Sequence, residues 1–163
     1  MKVTNLILHI LTSLALFTLQ TVPLGIGFVG SAISLFFYSD RRLDRDVAGR
    51  EFGIMFFSVV GSLLALLLMI FCIVAFVKKK KRKSYIIWEG VTNGLAFMGV
   101  LLCFLSAWNL DQLLGDFTPL VEATILPLLM TIVTVILWVI VALTSKTEPK
   151  NPAPTTYYPG PGM

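Results

Sequence analysis

Few residues in this chain are able to do chemistry, and most of them lie inside apolar runs. Glu89 and Asn93 are four apart, so a helix presents them on one face. An ionisable group in a hydrophobic stretch is a functional candidate, because burying its charge in hydrocarbon is costly. Together with Glu122, the pair would serve an ion or proton path. The alternative is that they hold helices together, and the neighbouring residues favour it. Gly90 and Gly94 form a GxxxG offset by one position, extended by Ala96 and Gly99, while Gly61 interrupts another apolar run. Small residues let two helices approach closely, and an amide or carboxyl between them bonds across. Glu89 has Lys83 within reach as a counter-ion. Glu122 follows Pro119, which suits the first position of a helix, and an acid in that first turn complements the dipole. Pro127 bends the same helix, with Thr124 or neighbouring helices re-satisfying the backbone. His9 has no second His or Cys near it and makes no metal ligand set. Phosphate-binding glycine loops, nucleophile elbows and CxxC pairs are missing, and one His with isolated acids builds no nucleophile, base and orienter. The reading is a non-enzyme with no catalytic residues, no metal and no cofactor.

Composition sets the elements that must position these groups. The 163 residues are 56% hydrophobic and 13% charged, against about 25% charged in soluble domains; mean hydropathy is +0.86. That excludes a disordered chain, a nucleic-acid-binding domain and an ordinary cytosolic enzyme. A bilayer core takes about 20 apolar residues of helix. Residues 54–77 carry no charge, 85–108 carry only Glu89, and 119–144 carry only Glu122, so three spans are predicted there. Residues 3–38 have no acidic or basic side chain, but at ~1.5 Å per residue they are too long for one upright crossing. Pro23, Gly25, Gly27 and Gly30 interrupt their middle. One long, bent span, a span with an interfacial piece, and a re-entrant hairpin are the three readings. A cleaved signal peptide is disfavoured, because no small-x-small site follows the apolar run.

Basic residues choose among them. Loop one, Asp40 to Glu51, balances four arginines with four acids; loop three, Asn109 to Thr118, has no Lys or Arg. Between them, Lys78, Lys79, Lys80, Lys81, Arg82 and Lys83 form a basic block. A single first crossing puts nine basic residues on the cytoplasmic side and four outside, whereas a hairpin gives eight against five. Cytoplasmic faces carry the excess of Lys and Arg. The expected fold is therefore all-α and integral to the membrane: a four-helix bundle over residues 1–145, with both termini cytoplasmic. Tyr85, Trp88 and Trp108 flank the third span as interfacial anchors.

The loops are too short for a folded ectodomain. Cys72 and Cys103 lie inside spans and read as small buried side chains with no disulfide between loops. No Asn-x-Ser/Thr occurs. Residues 146–163 hold five of the eight prolines, with Tyr157 and Tyr158 among them, and are expected to form a disordered cytoplasmic tail.

Two segments carry a resemblance. REFGIMFFSVVGSLLALLLMIF resembles the second span of the MARVEL-type four-span proteins, with an aromatic and a small residue before a leucine-rich run. YIIWEGVTNGLAFMGVLLCFLSAW is similar to their third span, where Trp88, Glu89, Asn93, Ala96 and Phe97 stand at the aromatic, acidic, Asn and small-aromatic positions. Claudins and tetraspanins fit less well, lacking here the large cysteine-bearing loop. The resemblance implies a non-enzymatic membrane organiser or scaffold in trafficking, membrane apposition, junctions or lipid domains. It would reside in the plasma membrane or endomembrane vesicles. Its partners would be membrane lipids, anionic ones at the basic block, and itself or another membrane protein through helix faces; nucleic acid is not among them. An accessory subunit of a channel, transporter or receptor is the second reading, and a small oligomeric pore or transporter the third.

Each basic residue near an anionic leaflet contributes about 1 kcal/mol. Replacing all six of Lys78 to Lys83 by Gln is expected to change orientation, localisation or binding to anionic vesicles. No change in any of the three removes the block from the mechanism.

Overall fold

A computed structural model describes residues 2–37, 45–78, 82–115 and 117–144. Among them the regular structure is helical throughout: α1 (Lys2–Phe37), α2 (Arg45–Val77), α3 (Arg82–Leu114), α4 (Thr118–Ala123) and α5 (Ile125–Thr144). Four stretches are long and apolar enough to cross a membrane: Lys2–Gly30, Gly49–Val77, Lys83–Leu114 and Thr118–Thr144. The tail over 146–163 and Lys79, Lys80 and Lys81 lie outside the described residues.

The first segment is one continuous helix of 36 residues with Pro23 inside it, so no hairpin forms there. Backbone amides have no water to bond within a bilayer, which favours keeping every turn helical. The polar flanks of the other spans are helical as well. α2 begins at Arg45, within loop one, and α3 continues to Leu114, well beyond Trp108. Gly115 then ends α3 with φ +80, and its N–H bonds the Asp111 carbonyl at 2.7 Å, a left-handed stop that suits glycine. Oδ1 of Asp111 accepts the Phe117 N–H at 3.0 Å and the Thr118 hydroxyl at 3.2 Å, tying the turn to the next helix.

The fourth span is two helices, not one. Proline at 127 has no N–H to give the Ala123 carbonyl, and its ring crowds that group. The helix is interrupted at Thr124, whose hydroxyl bonds the Val121 carbonyl at 2.6 Å. Pro119 occupies the second position of α4, and Glu122 falls past its first turn, further from the dipole than the sequence spacing implied.

Packing is inside-out relative to a soluble bundle. Large apolar side chains face outward on every long helix, including Ile7, Leu14, Leu63, Ile70, Phe97, Leu101, Ile132 and Ile136. Polar and small residues line the interior. On α1 the inward face reads Asn5, His9, Thr12, Ser13, Leu16, Gln20, the recurrence of an α-helix. α2 offers Ser58, Gly61, Ala65, Leu68 and Cys72 to it, and α3 offers Glu89, Asn93, Ala96, Val100 and Cys103. α2 packs most extensively with α3 and with α1, while α5 rests on α1 and α3. Lys2, the start of α3 and the end of α5 share one end of the bundle. There the Lys2 ammonium stands 5.1 Å from the Tyr85 ring centroid, and the Trp138 indole N–H bonds the Ile86 carbonyl at 2.9 Å. At the opposite end Arg50 Nη1 bonds the Gln112 carbonyl at 3.0 Å.

The closest approach depends on Gly61. A Cβ there would overlap the side-chain amide of Gln20, which is fully buried between α1 and α2. Overfilling a packed contact costs about 1–3 kcal/mol. Gly61→Val is expected to lose stability in that range by reversible unfolding in detergent, while Gly94→Val, at an open position, stays near the wild-type value.

Candidate functional site

The site is a buried polar seam along the inner face of α1. Its best-connected part is near the Lys2 end. Glu89, 3% exposed, projects from the first turns of α3 toward α1. Its Oε1 accepts the Asn5 amide Nδ2–H at 2.8 Å and lies 3.1 Å from His9 Nε2. Asn5 and His9 are four apart on α1, so both meet the same carboxylate. Lys83, offered by the sequence as the counter-ion, is exposed, and the side chain beside the carboxylate is His9. The Tyr85 hydroxyl borders the cluster, with Asn5 and Glu89 as polar neighbours.

One turn further along α3, Asn93 Oδ1 stands 2.8 Å from the Thr134 hydroxyl of α5, which is also 2.8 Å from the Thr131 carbonyl. The Ser13 hydroxyl bonds the Ala65 carbonyl at 2.6 Å, linking α1 to α2. Trp138 covers Gly90: a Cβ at Gly90 would come 3.2 Å from the indole. These contacts fasten α1, α2 and α5 to their neighbours through single polar side chains. Beyond them comes an apolar layer of Leu16, Ala65, Leu68, Ala96, Val100 and Cys103. Past that layer Gln20 and Ser58 are buried, with no hydrogen-bond partner among the described residues for their side-chain polar atoms.

The other residues singled out by sequence are placed as follows. Gly94 is exposed, with open space where a Cβ would stand, so the two glycines of the GxxxG part company. Gly90 receives α5, and Gly94 faces outward. Tyr85 turns inward at 1% exposure, so its ring belongs to the bundle interior and not to a headgroup surface. Its spacing from Glu89, one helical turn, puts it on the seam face. Trp88 packs against Phe71 at 5.6 Å, and Trp108 is 48% exposed beside Phe104. Lys78 and Lys83 are exposed, and Arg82 opens α3. Glu122 is exposed on α4, away from Glu89 and Asn93. Among the described residues no three His, Cys, Asp or Glu side chains gather to hold a metal.

Sequence reasoning missed the joining of His9 and Asn5 to Glu89, and the anchoring of α5 by Trp138. The signal was present in α1: Asn5, His9, Ser13, Leu16 and Gln20 recur at three to four residues, a polar stripe on a helix otherwise apolar.

The four apolar-faced helices with a polar interior have the length and composition of a multi-pass membrane protein. No family model, curated protein or solved structure matches the chain.

Hydrogen bonds between membrane helices average about 0.6 kcal/mol and reach about 1.7. A double-mutant cycle with Asn93→Ala and Thr134→Val is expected to give a coupling within that range by reversible unfolding in mixed micelles. A coupling of zero would mean that the two side chains do not bond.

Proposed function

We propose that this chain is a non-enzymatic four-span membrane organiser of the MARVEL type, with N- and C-termini cytoplasmic and α1 bent at Pro23. The observation that carries the reading is how the polar groups are used. Glu89, Asn93, Ser13 and Trp138 all bond neighbouring helices, while the outer surface is apolar. A chain built this way presents lipid and other helices with packing surfaces, and it works through lateral association. The cytoplasmic orientation is supported by the common end of Lys2, Lys78 and Lys83 and by the excess of Lys and Arg assigned there. At that end the basic residues attract anionic lipid. The sites of action are the plasma membrane or endomembrane vesicles, in trafficking, apposition or lipid-domain organisation.

One observation favours the second reading, an accessory subunit. On α3, Gly94 is open and flanked by exposed Phe97, Met98 and Leu101, a face that the chain's own helices leave unfilled. The pore reading has less support, since Glu122 stands apart from Glu89 and Asn93 and an apolar layer crosses the seam.

Native purification in mild detergent, with mass determination and protein identification, tests these readings. A discrete homo-oligomer or a lipid-bearing monomer without ion flux in vesicles is expected. A stoichiometric larger partner transfers the function to that partner. Flux that disappears in Glu89→Gln makes the chain a pore.

A further inference from the structure

His9 is the single histidine of the chain. It is 1% exposed, and its Nε2 lies 3.1 Å from Oε1 of a carboxylate that is 3% exposed. A bare imidazole nitrogen and a bare carboxylate oxygen repel at that separation, so a proton stands between them. The surroundings bear on how many protons the two groups hold together. With neutral imidazole and ionised carboxylate, one negative charge would be left in the interior of a membrane span, which is expensive. One further proton, on either group, makes the pair neutral: imidazolium with carboxylate, or imidazole with carboxylic acid. Strongly interacting groups of this kind take up and release protons as a unit.

The groups facing the pair come from each packed helix. α1 contributes Lys2, whose ammonium lies over the Tyr85 ring. α2 contributes Cys72, buried beside Glu89, and α3 contributes Tyr85. α5 has no acidic or basic side chain. Lys78 and Lys83 are exposed at the same end. Two buried atoms around the pair, His9 Nδ1 and Asn5 Oδ1, have no hydrogen-bond partner among the described residues, and the Tyr85 hydroxyl stands beside Asn5 and Glu89. The cluster therefore holds spare proton donors and acceptors on its side of the apolar layer. Further along the seam lies the apolar cluster of Leu16, Ala65, Leu68, Ala96, Val100 and Cys103, with the buried Ser13 and Ser106 hydroxyls bonded to the Ala65 and Cys103 carbonyls.

We propose that His9 and Glu89 form a proton-binding site within the membrane span, joining α1 to α3 while the pair holds one proton in common. A second proton, delivered by hydronium from the Lys2 end, converts the carboxylate–imidazolium pair to carboxylic acid and imidazolium. No bond other than those to hydrogen changes. The site then carries a net positive charge, and the ionic attraction across α1 and α3 is gone. Acid at the Lys2 end thus loosens the N-terminal half of α1, whatever the bundle organises.

The test uses the full-length chain in phospholipid nanodiscs, labelled with 15N-histidine and 13C-glutamate. Because there is one histidine, the 15Nε2 signal belongs to His9, and Glu89 is the glutamate carboxyl beside it. The expected result is a strong 15Nε2–13Cδ dipolar coupling at neutral pH that is lost on acidification. The imidazole and carboxyl shifts should change together at one midpoint. Glu89→Gln should move the imidazole midpoint. A coupling that persists through acidification overturns the release, and an imidazole that changes without its carboxyl overturns the shared proton. Both readouts are available in the wild-type chain, so they stand even if the variant fails to fold.

Discussion

The constraint that everything else answers to is the carboxylate of Glu89 in an interior without water. A bilayer core offers no solvent for a buried acid, so its partners must come from the protein. They come from α1, in Asn5 and His9, across 84 and 80 residues of chain. That one requirement sets which face of α1 turns inward, how deep the helix sits against α3, and which side of each helix is left to lipid. A residue-by-residue slip of α1 would separate the acid from both partners at once. The polar pairs further along, Ser13 with the Ala65 carbonyl and Asn93 with Thr134, repeat the arrangement at lower cost and hold the same register.

Small residues make these bonds reachable. Short side chains such as Ser13 and Thr134 span only a narrow gap, and Gly61, Ala65, Gly90 and Ala96 keep the helices close enough. The same narrowness leaves little space for large apolar side chains, which therefore lie outside. In water such a surface would aggregate; in lipid it is the solvated one. The fourth span is the loosest member, since it is broken at Thr124 and rests on α1 and α3 through Trp138 and Thr134.

Much of the architecture was legible from hydropathy and charge alone. Runs poor in Lys, Arg, Asp and Glu locate the four apolar stretches, and Gly90 of the GxxxG lies against Trp138. What escaped were matters of face and partner. Apolar composition is nearly uniform around α2 and α3, so periodicity does not tell inward from outward, and Gly94 and Tyr85 landed on the opposite sides from those expected. The partner of Glu89 escaped for a different reason. Proximity along the chain pointed to Lys83, but a flexible lysine near the end of a helix reaches water more cheaply than it enters the interior. His9 and Asn5, short side chains already fixed on a packed face, pay no such penalty. The extent of α2 and α3 beyond the apolar runs was hidden because charged helical flanks and charged loops have the same composition.

The polar stripe on α1 also has a history during synthesis. Asn5 and His9 are made first, and the carboxylate they bond is made 80 or more residues later. At about 5–20 residues per second, α1 waits roughly 4–16 seconds for its partner to leave the ribosome. Throughout that interval the helix has an amide and an imidazole with no α3 to cover them. Those two groups stay without their native partner until α3 has been made. α2 and α3 share the larger mutual surface, and it is against that pair that α1 finally lies.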